Sequence, residues 1–507
     1  MGGFGGGFRW GFGWRNLNSL FLYKIMQTVL FFSAGTPPYL PEIDKNYTLK
    51  AYTGTVNFER LSGIWQNENP LAILSWQIDG ETSQTLSKIF NVRKRWVHIV
   101  GNDIPKQFDV VPVVMSAVLG HHYDKDHPLM SVFSSAYKSG SKILRPLRSL
   151  QAQTFTNWEW IIWDDSEGDG DANYKELIEM SRRDLRIRVY KAPRHSGYIG
   201  EMKRLAASVA YGKFLIEVDH DDDFHPRLLE WIKEASDAYQ DAGFFYTDCA
   251  ELTEETYEPA TYGDFFGFGY SGHSFVWSDF HKRHIAQANV AQPNPVTLRH
   301  LVGMPNHVRV WRTEVYDRVG KHNPQLAVAD DYDLMARTWA AGVKWCHIRM
   351  CGYYQYRNRD GNFTFIRNGL IQHNNNHIYQ RYAREGKLPE CPSTTNLQPQ
   401  WKTDDLMFPN AHFEYVPREG QWDVTEVVMG ESGIEGLQSV CERLEKTELN
   451  WRVFVFGKPN LDQLPKKWWE RIMWWNLSSE TNEVERRRYF NKYINTGKMV
   501  VVWPTRS

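Results

Sequence analysis

The chain has 507 residues, with 59 lysine and arginine against 60 aspartate and glutamate, a net charge of -1. That balance offers no bulk attraction to nucleic acid or to an anionic membrane surface, and the length exceeds one comfortable core, so two or three domains are expected. The cysteines (Cys249, Cys346, Cys351, Cys391 and Cys441) form no CxxC pair, which argues against structural zinc and for a reduced compartment.

Residues 1–20 are expected to be a disordered N-terminus rich in glycine and aromatics, most clearly over Met1–Trp14. The apolar stretch Leu17–Ala34 is interrupted by Lys24 and Gln27, so no integral membrane span is expected. Its basic flank and its Ser33-Ala34-Gly35 end fit a secretory signal. A buried strand over Ile25–Phe32 is the preferred reading, and with it a cytoplasmic chain, free or peripheral to a membrane. The Asn-x-Ser/Thr triplets at Asn46, Asn362 and Asn476 are weak signals in such a chain. Residues 21–125 read as a small α/β accessory region, with strands at Leu71–Trp76 and Trp96–Val100 and a helix at Thr85–Phe90 between them.

Residues 126–390 alternate strand and helix with short connections, the mark of an α/β layer fold. Strands are predicted at Met130–Ala136, Trp158–Trp163, Ile187–Lys191 and Phe214–Val218. Helices are predicted at Lys142–Gln151, Tyr174–Arg182, Gly200–Ala210 and Leu228–Tyr239, with Gly243–Thr247 extended. Glu251–Pro295 breaks the rhythm and reads as a long loop over one face. Helices resume at Thr313–Val319 and Asp331–Ala341, followed by extended Trp345–Met350. Beyond a linker at Pro392–Gln400, residues 391–507 repeat the α/β style with Val424–Met429, a helix near Ile434–Leu444, and Trp451–Phe456. The 21 tryptophans read chiefly as packing, with sugar platforms as the sharper alternative.

Chemistry concentrates at the predicted strand ends, where open α/β sheets bind ligands. Asp219-His220-Asp221-Asp222-Asp223 follows an apolar strand, and crowded carboxylates there repel one another and resist desolvation. A hard divalent cation, Mn²⁺ or Mg²⁺, offsets both penalties and often shares oxygen ligands with a diphosphate. Ser135-Ala136-Tyr137 and Asp164-Asp165 end the first two strands, and Asp165 is either a turn residue or an acceptor for a nucleobase or ribose. His195–Gly200 opens a helix whose first turn carries Lys203 and Arg204, a weak anion-site signal. Asp330, Asp331 and Asp333 crowd the start of another helix, as caps or as a general base. Gly303-Met304-Pro305-Asn306-His307 is a polar turn that either lines the pocket or buries a structural histidine.

Together these residues resemble the family 2 glycosyltransferases, inverting enzymes of the GT-A fold. Pro128–Val132, Leu150–Phe155 and Trp158–Asp165 are similar to that family's first two strands, Asp219-His220-Asp221 to its DxD motif, and Ala329–Tyr332 to its acidic pair. The resemblance covers about half the chain and implies a Rossmann-like mixed sheet flanked by helices. It implies a nucleotide-diphosphate sugar, UDP-linked, with its nucleotide near Ser135, Ala136, Tyr137 and Asp165 and its diphosphate near Gly200, Lys203, Asp219 and His220. Asp219 and Asp221 would hold the metal, and Asp331 would activate the hydroxyl of a glycan, lipid-linked or protein acceptor. Asp165-Ser166-Glu167 departs from the family's usual aspartate–glycine–serine, and the Gln-x-x-Arg-Trp signature of processive synthases is absent. Transfer of a single sugar is therefore favoured. The competing classes are a sugar-phosphate nucleotidyltransferase, which would carry a glycine-rich basic loop where Tyr137–Ser141 stands, and a non-catalytic carbohydrate-binding protein, which leaves the ordered acidic motifs unexplained.

Overall fold

The computed structural model describes residues 27–43, 47–107, 128–258, 273–300, 305–357, 366–388, 412–428, 434–475, 484–490 and 497–503, with short gaps inside several of these stretches. Met1–Trp14, Gly303 and Met304, Pro392–Gln400, Cys391, the asparagines of the Asn-x-Ser/Thr triplets (Asn46, Asn362 and Asn476) and the domain boundaries expected at 20, 125 and 390 lie outside the described residues. The chain divides into two compact units, Met1–Leu119 and Gly120–Ser507. No described helix is long and apolar enough to cross a membrane.

In the first unit, strands β1 (Gln27–Ser33), β2 (Tyr47–Thr53), β3 (Ala72–Trp76) and β4 (Trp96–Ile99) form an all-parallel sheet in the order β2-β1-β3-β4. Helices α1 (Phe58–Glu68) and α2 (Gly80–Lys88) connect them. Val29–Phe32 are fully buried, as expected of a parallel strand covered on both faces. This is why the described part of the apolar stretch near the N-terminus, Gln27–Ser33, is a strand; residues 17–26 lie outside the described residues. Leu30, Phe32, Leu61, Ile73 and Leu86 form the core of the unit.

In the second unit, β5 (Met130–Ala136), β6 (Trp158–Asp164), β7 (Ile187–Lys191) and β8 (Phe214–Glu217) are parallel neighbours in the order β7-β6-β5-β8. The crossovers carry α3 (Leu144–Gln151), α4 (Ala172–Arg183) and α5 (Ile199–Ser208). Every residue of β6 is buried, so its apolar run needs no alternation. Two-residue β9 (Asp223–Phe224) and α6 (Leu228–Ala238) follow, then β10 (Phe244–Thr253). The segment expected to be a loop instead holds a hairpin, β11 (His273–Ser278) and β12 (Arg283–Ala288). Its aromatic and β-branched residues are strand formers, and Ile285 and Val276 pack on the Ala250, Leu252, Tyr354 and Tyr356 cluster. The interspersed histidines and serines hide that period in the sequence.

Helix α7 (Pro295–His300), antiparallel strand β13 (Arg309–Arg312), α8 (Thr313–Arg318) and α9 (Asp330–Ala340) lead to the 13-residue β14 (Trp345–Arg357). Strand β14 runs parallel to β10 with register shifts around Asp248, a bulge that re-aims the tyrosines beyond it. After α10 (Asn368–Arg384) and β15 (His412–Tyr415), the chain forms β16 (Trp422–Val428), α11 (Ile434–Glu445), β17 (Trp451–Phe456), β18 (Ile472–Trp475) and β19 (Gly497–Trp503). These four strands are parallel in the order β19-β16-β17-β18 and join the main sheet where β18 pairs with β11. Trp158, Trp160, Trp231, Trp311 and Trp345 are fully buried, so much of the tryptophan content is core.

Candidate active site

Parallel strands β5, β6 and β8 bring their carboxyl ends to one edge, and the acidic run leaves β8 there. The run turns into β9, which pairs antiparallel with Tyr353 and Tyr354 of β14. The Tyr353 hydroxyl accepts the Asp219 N–H at 3.1 Å and donates to Asp222 Oδ2 at 2.8 Å. The Tyr356 N–H donates to Asp222 Oδ1 at 2.8 Å, and its hydroxyl donates to Asp223 at 3.1 Å. From α3, Arg145 donates to the Asp221 carbonyl at 2.9 Å and lies over the Tyr356 ring. The run is thus clamped from both sides, with Asp222 and Asp223 buried and Asp219, His220 and Asp221 partly exposed.

Asp219, Asp222 and His307 each offer a ligand atom within 4.8 Å of the other two. Burial pushes the Asp219 carboxyl up to about 6, with Glu217 and Asp221 adding repulsion against the pull of Lys203. Burial, then the charges of Asp221 and Asp219, hold Asp222 well above the usual carboxylate range. Burial and the Arg309 charge hold His307 well below its usual value, which keeps the imidazole neutral and its lone pair available. A place with surplus negative charge and a neutral imidazole fits a divalent cation. The grouping differs from the expected pair of Asp219 with Asp221, because pairing of β9 with β14 buries Asp222 and leaves Asp221 outside the group. His307 also stacks on Tyr353, with ring centroids 4.3 Å apart.

Beneath this group lies a buried charge cluster. Lys203 Nζ is 2.5 Å from Glu217, 3.9 Å from Asp219 and 3.8 Å from Asp330. Burial alone would lower its pKa, but Asp330, Glu217 and Asp219 outweigh it and hold Lys203 charged. Arg309 of β13 reaches Glu217 at 3.2 Å and Asp331 at 2.8 Å. Glu217 sits between these two cations, which overcome its burial and hold it well below the carboxylate range. Asp330 is buried at the N-terminus of α9, whereas the Asp331 side chain is 26% exposed, so Asp331 is the member of the pair open to an incoming molecule. Gly200 lets α5 approach this helix: a Cβ there would stand 2.2 Å from the Asn323 carbonyl oxygen and 3.0 Å from Asp330 Cβ.

The remaining candidates gather at the ends of β5 and β6. Ser135 and buried Ala136 close β5, and the Ala136 carbonyl accepts the Asp165 N–H at 2.7 Å. Asp165 accepts the main-chain N–H groups of Ser196 at 2.8 Å and Gly197 at 3.1 Å, so it seats the loop before α5. That loop brings His195 against Tyr137, with ring centroids 4.6 Å apart. The structure therefore separates the candidates into a cation-and-carboxylate group (Lys203, Asp219, Asp331) and a second group (Ser135, Ala136, Tyr137, Asp165) at the ends of the adjacent strands β5 and β6. Gly200 is a packing position between α5 and the α9 approach, and His220 lies in the turn with its Nδ1 buried and without a partner among the described residues.

Sequence reading did not single out Glu217, Arg309, Tyr353, Tyr356 or Arg145. A signal existed for two of them: a charge inside Phe214–Val218 or inside Val308–Trp311 sits in an apolar strand, where an unpaired charge is costly. The tyrosines carry no such mark, because their role follows from the β14 bulge.

Residues 131–269 match the family model Glycosyl transferase family 2. That segment runs from the second residue of β5 through β10 and includes the acidic run, and the mixed sheet flanked by helices has the layered α/β layout that the resemblance implied. Chondroitin synthase of Pasteurella multocida (strain Pm70) is 23% identical over 256 residues, 50% of this chain and 23% of that protein. Hyaluronan synthase of Pasteurella multocida is 23% identical over 266 residues, 51% of this chain and 24% of that protein. This chain thus spans under a quarter of the length of either synthase. Among solved structures, S. aureus TarS 1-349 in complex with UDP-GlcNAc is similar at 16% identity and a TM-score of 0.36, over 50% of this chain and 71% of that one. Mannosyltransferase PcManGT from Pyrobaculum calidifontis, in complex with GDP-Man and Mn²⁺, is similar at 15% identity and a TM-score of 0.34, over 52% of this chain and 66% of that one.

Proposed function

We propose that this site transfers a single sugar, with inversion, from a UDP-linked sugar to a hydroxyl of a glycan, lipid-linked or protein acceptor. The reading takes 126–390 as the transferase domain, with 21–125 and 391–507 as accessory regions. The observation that carries it is the junction of a cation-binding group, Asp219, Asp222 and His307, with the more open Asp331 through the Arg309–Glu217–Lys203 cluster.

Asp219, Asp222 and His307 would hold the metal, with Asp221 at the rim, and an imidazole among the ligands favours Mn²⁺ over the all-oxygen preference of Mg²⁺. A bound cation supplies charge that offsets the diphosphate leaving group. Tyr137, with Ser135 and Ala136, offers the aromatic face and strand end for the nucleotide, and Asp165 holds the loop that completes that wall. Arg309 holds one oxygen of Asp331 at 2.8 Å and the Tyr332 N–H the other at 2.7 Å, which fixes the carboxylate, and its remaining lone pairs would accept the proton of an acceptor hydroxyl. One base acting on one face gives inversion. The lack of a Gln-x-x-Arg-Trp signature favours one transfer per acceptor, although the chain is similar to two polymer synthases.

The test is incubation of the chain with a panel of UDP- and GDP-sugars, Mn²⁺ and glycan acceptors. The expected products are a nucleoside diphosphate and a glycoside of inverted anomeric configuration, with transfer lost in Asp331→Asn. Release of nucleoside monophosphate would favour the nucleotidyltransferase class. Sugar binding with no turnover of any donor would favour the carbohydrate-binding class.

A further inference from the structure

Glu217 Oε2, His322 Nε2 and Asp330 Oδ2 are buried and have no hydrogen-bond partner among the described residues. They converge. His322 Nε2 lies 3.7 Å from Glu217 Oε2 and 3.7 Å from Asp330 Oδ2. These separations exceed a direct hydrogen bond but keep the imidazole nitrogen within electrostatic reach of both carboxylates.

The other face of the imidazole sets which nitrogen carries the proton. His322 Nδ1 is 2.8 Å from the Tyr316 hydroxyl, and that hydroxyl also accepts the His322 main-chain N–H at 3.3 Å. That hydroxyl is placed to give its own proton to Nδ1, the arrangement in which Nε2 is the ring nitrogen that carries a proton toward the two carboxylates. Phe133 and Trp311 enclose the ring, with centroids 5.8 and 6.1 Å away, so it has little room to turn.

We propose that His322 is a positioning residue for the Asp330-Asp331 pair, directing its Nε2–H at Asp330 and Glu217. The proposal rests on the reading of Asp331 as the base. Asp330 opens α9 immediately before Asp331 and is held from one side by Lys203 at 3.8 Å. Ala329, before it, has a left-handed φ of 65°, a conformation its own methyl side chain does not favour. The start of α9 therefore depends on what packs around it, and His322 Nε2 meets the same Asp330 oxygen as Lys203, at 3.7 Å, while also facing the Glu217 oxygen that Lys203 does not hold. Without that donor, Asp330 and Glu217 face one another with less compensation, and the alignment of Asp331 on Arg309 loosens.

Two variants and one spectrum test this. His322→Phe keeps the ring packing and removes Nε2–H. Tyr316→Phe removes only the hydroxyl that fixes the tautomer, and it serves alone if the first variant does not fold. Either folded variant is expected to lower kcat by about tenfold or more, the scale of a misplaced catalytic group, with donor KM within about twofold. Wild-type kcat in a folded variant would overturn the proposal. Independently of turnover, ¹⁵N-histidine NMR of the full chain is expected to show His322 protonated at Nε2, and protonation at Nδ1 would overturn it. Failure of the wild-type chain to transfer sugar would count against the functional reading, while the tautomer still decides the placement of His322.

Discussion

Asp219, Asp222 and Asp223 differ in surroundings although they are near neighbours in one run. Asp222 has both oxygens held by β14, Asp223 is bonded to Tyr356, and burial pushes the Asp223 carboxyl up to about 8. Asp219 keeps an exposed edge beside His307. Asp222→Asn or His307→Ala is expected to weaken Mn²⁺ binding by about tenfold or more, and Asp221→Asn by clearly less, as measured by paramagnetic resonance of free Mn²⁺. A larger loss in Asp221→Asn than in His307→Ala would restore the Asp219–Asp221 pair as the metal ligands. Asp219, Lys203 and Asp331 were legible in the sequence because each sits at a strand or helix end within a recognisable local motif. His307 was ambiguous, and Arg309 showed only as a charge inside an apolar run, since their meaning depends on β13 lying antiparallel to β8, a pairing that local spacing does not encode.

Among elements, the parallel strands were the most legible, because two-sided burial writes itself as unbroken apolar runs such as Trp158–Trp163. The β11–β12 hairpin was not, and β10 and β14 run well past their predicted ends, to Thr253 and Arg357. Those extensions carry polar residues that become buried only once the two strands pair with each other. The packing of α5 against the approach to α9 is a second feature of this kind, and it depends on Gly200. Gly200→Ala places a methyl group 2.2 Å from a main-chain oxygen, so it is expected to cost about 1–3 kcal/mol of stability by overpacking. A denaturant midpoint shift reports this. An unchanged midpoint would mean that the contact with Asn323 is not as tight as described.

For the whole molecule, buried histidines set an acid-side dependence. Burial, helped by Arg283, lowers His281 to about 4, and burial, helped by His347, lowers His412 to about 3. Unfolded histidine titrates near 6.5, so between these values the unfolded chain binds the extra protons. Their contribution to stability is present above pH of about 6.5 and is lost as the pH falls toward about 4. His412→Phe is therefore expected to flatten the fall in Tm between pH 7 and pH 5 relative to wild type, and parallel profiles would contradict it. The central claim is that a cation held by Asp219, Asp222 and His307 completes the donor site. Calorimetric titration of UDP-sugars into the intact chain, with Mn²⁺ and then with EDTA, tests it most directly. The account predicts donor affinity at least about tenfold tighter with Mn²⁺, a difference erased by Asp219→Asn. Equal affinity in Mn²⁺ and EDTA would contradict it.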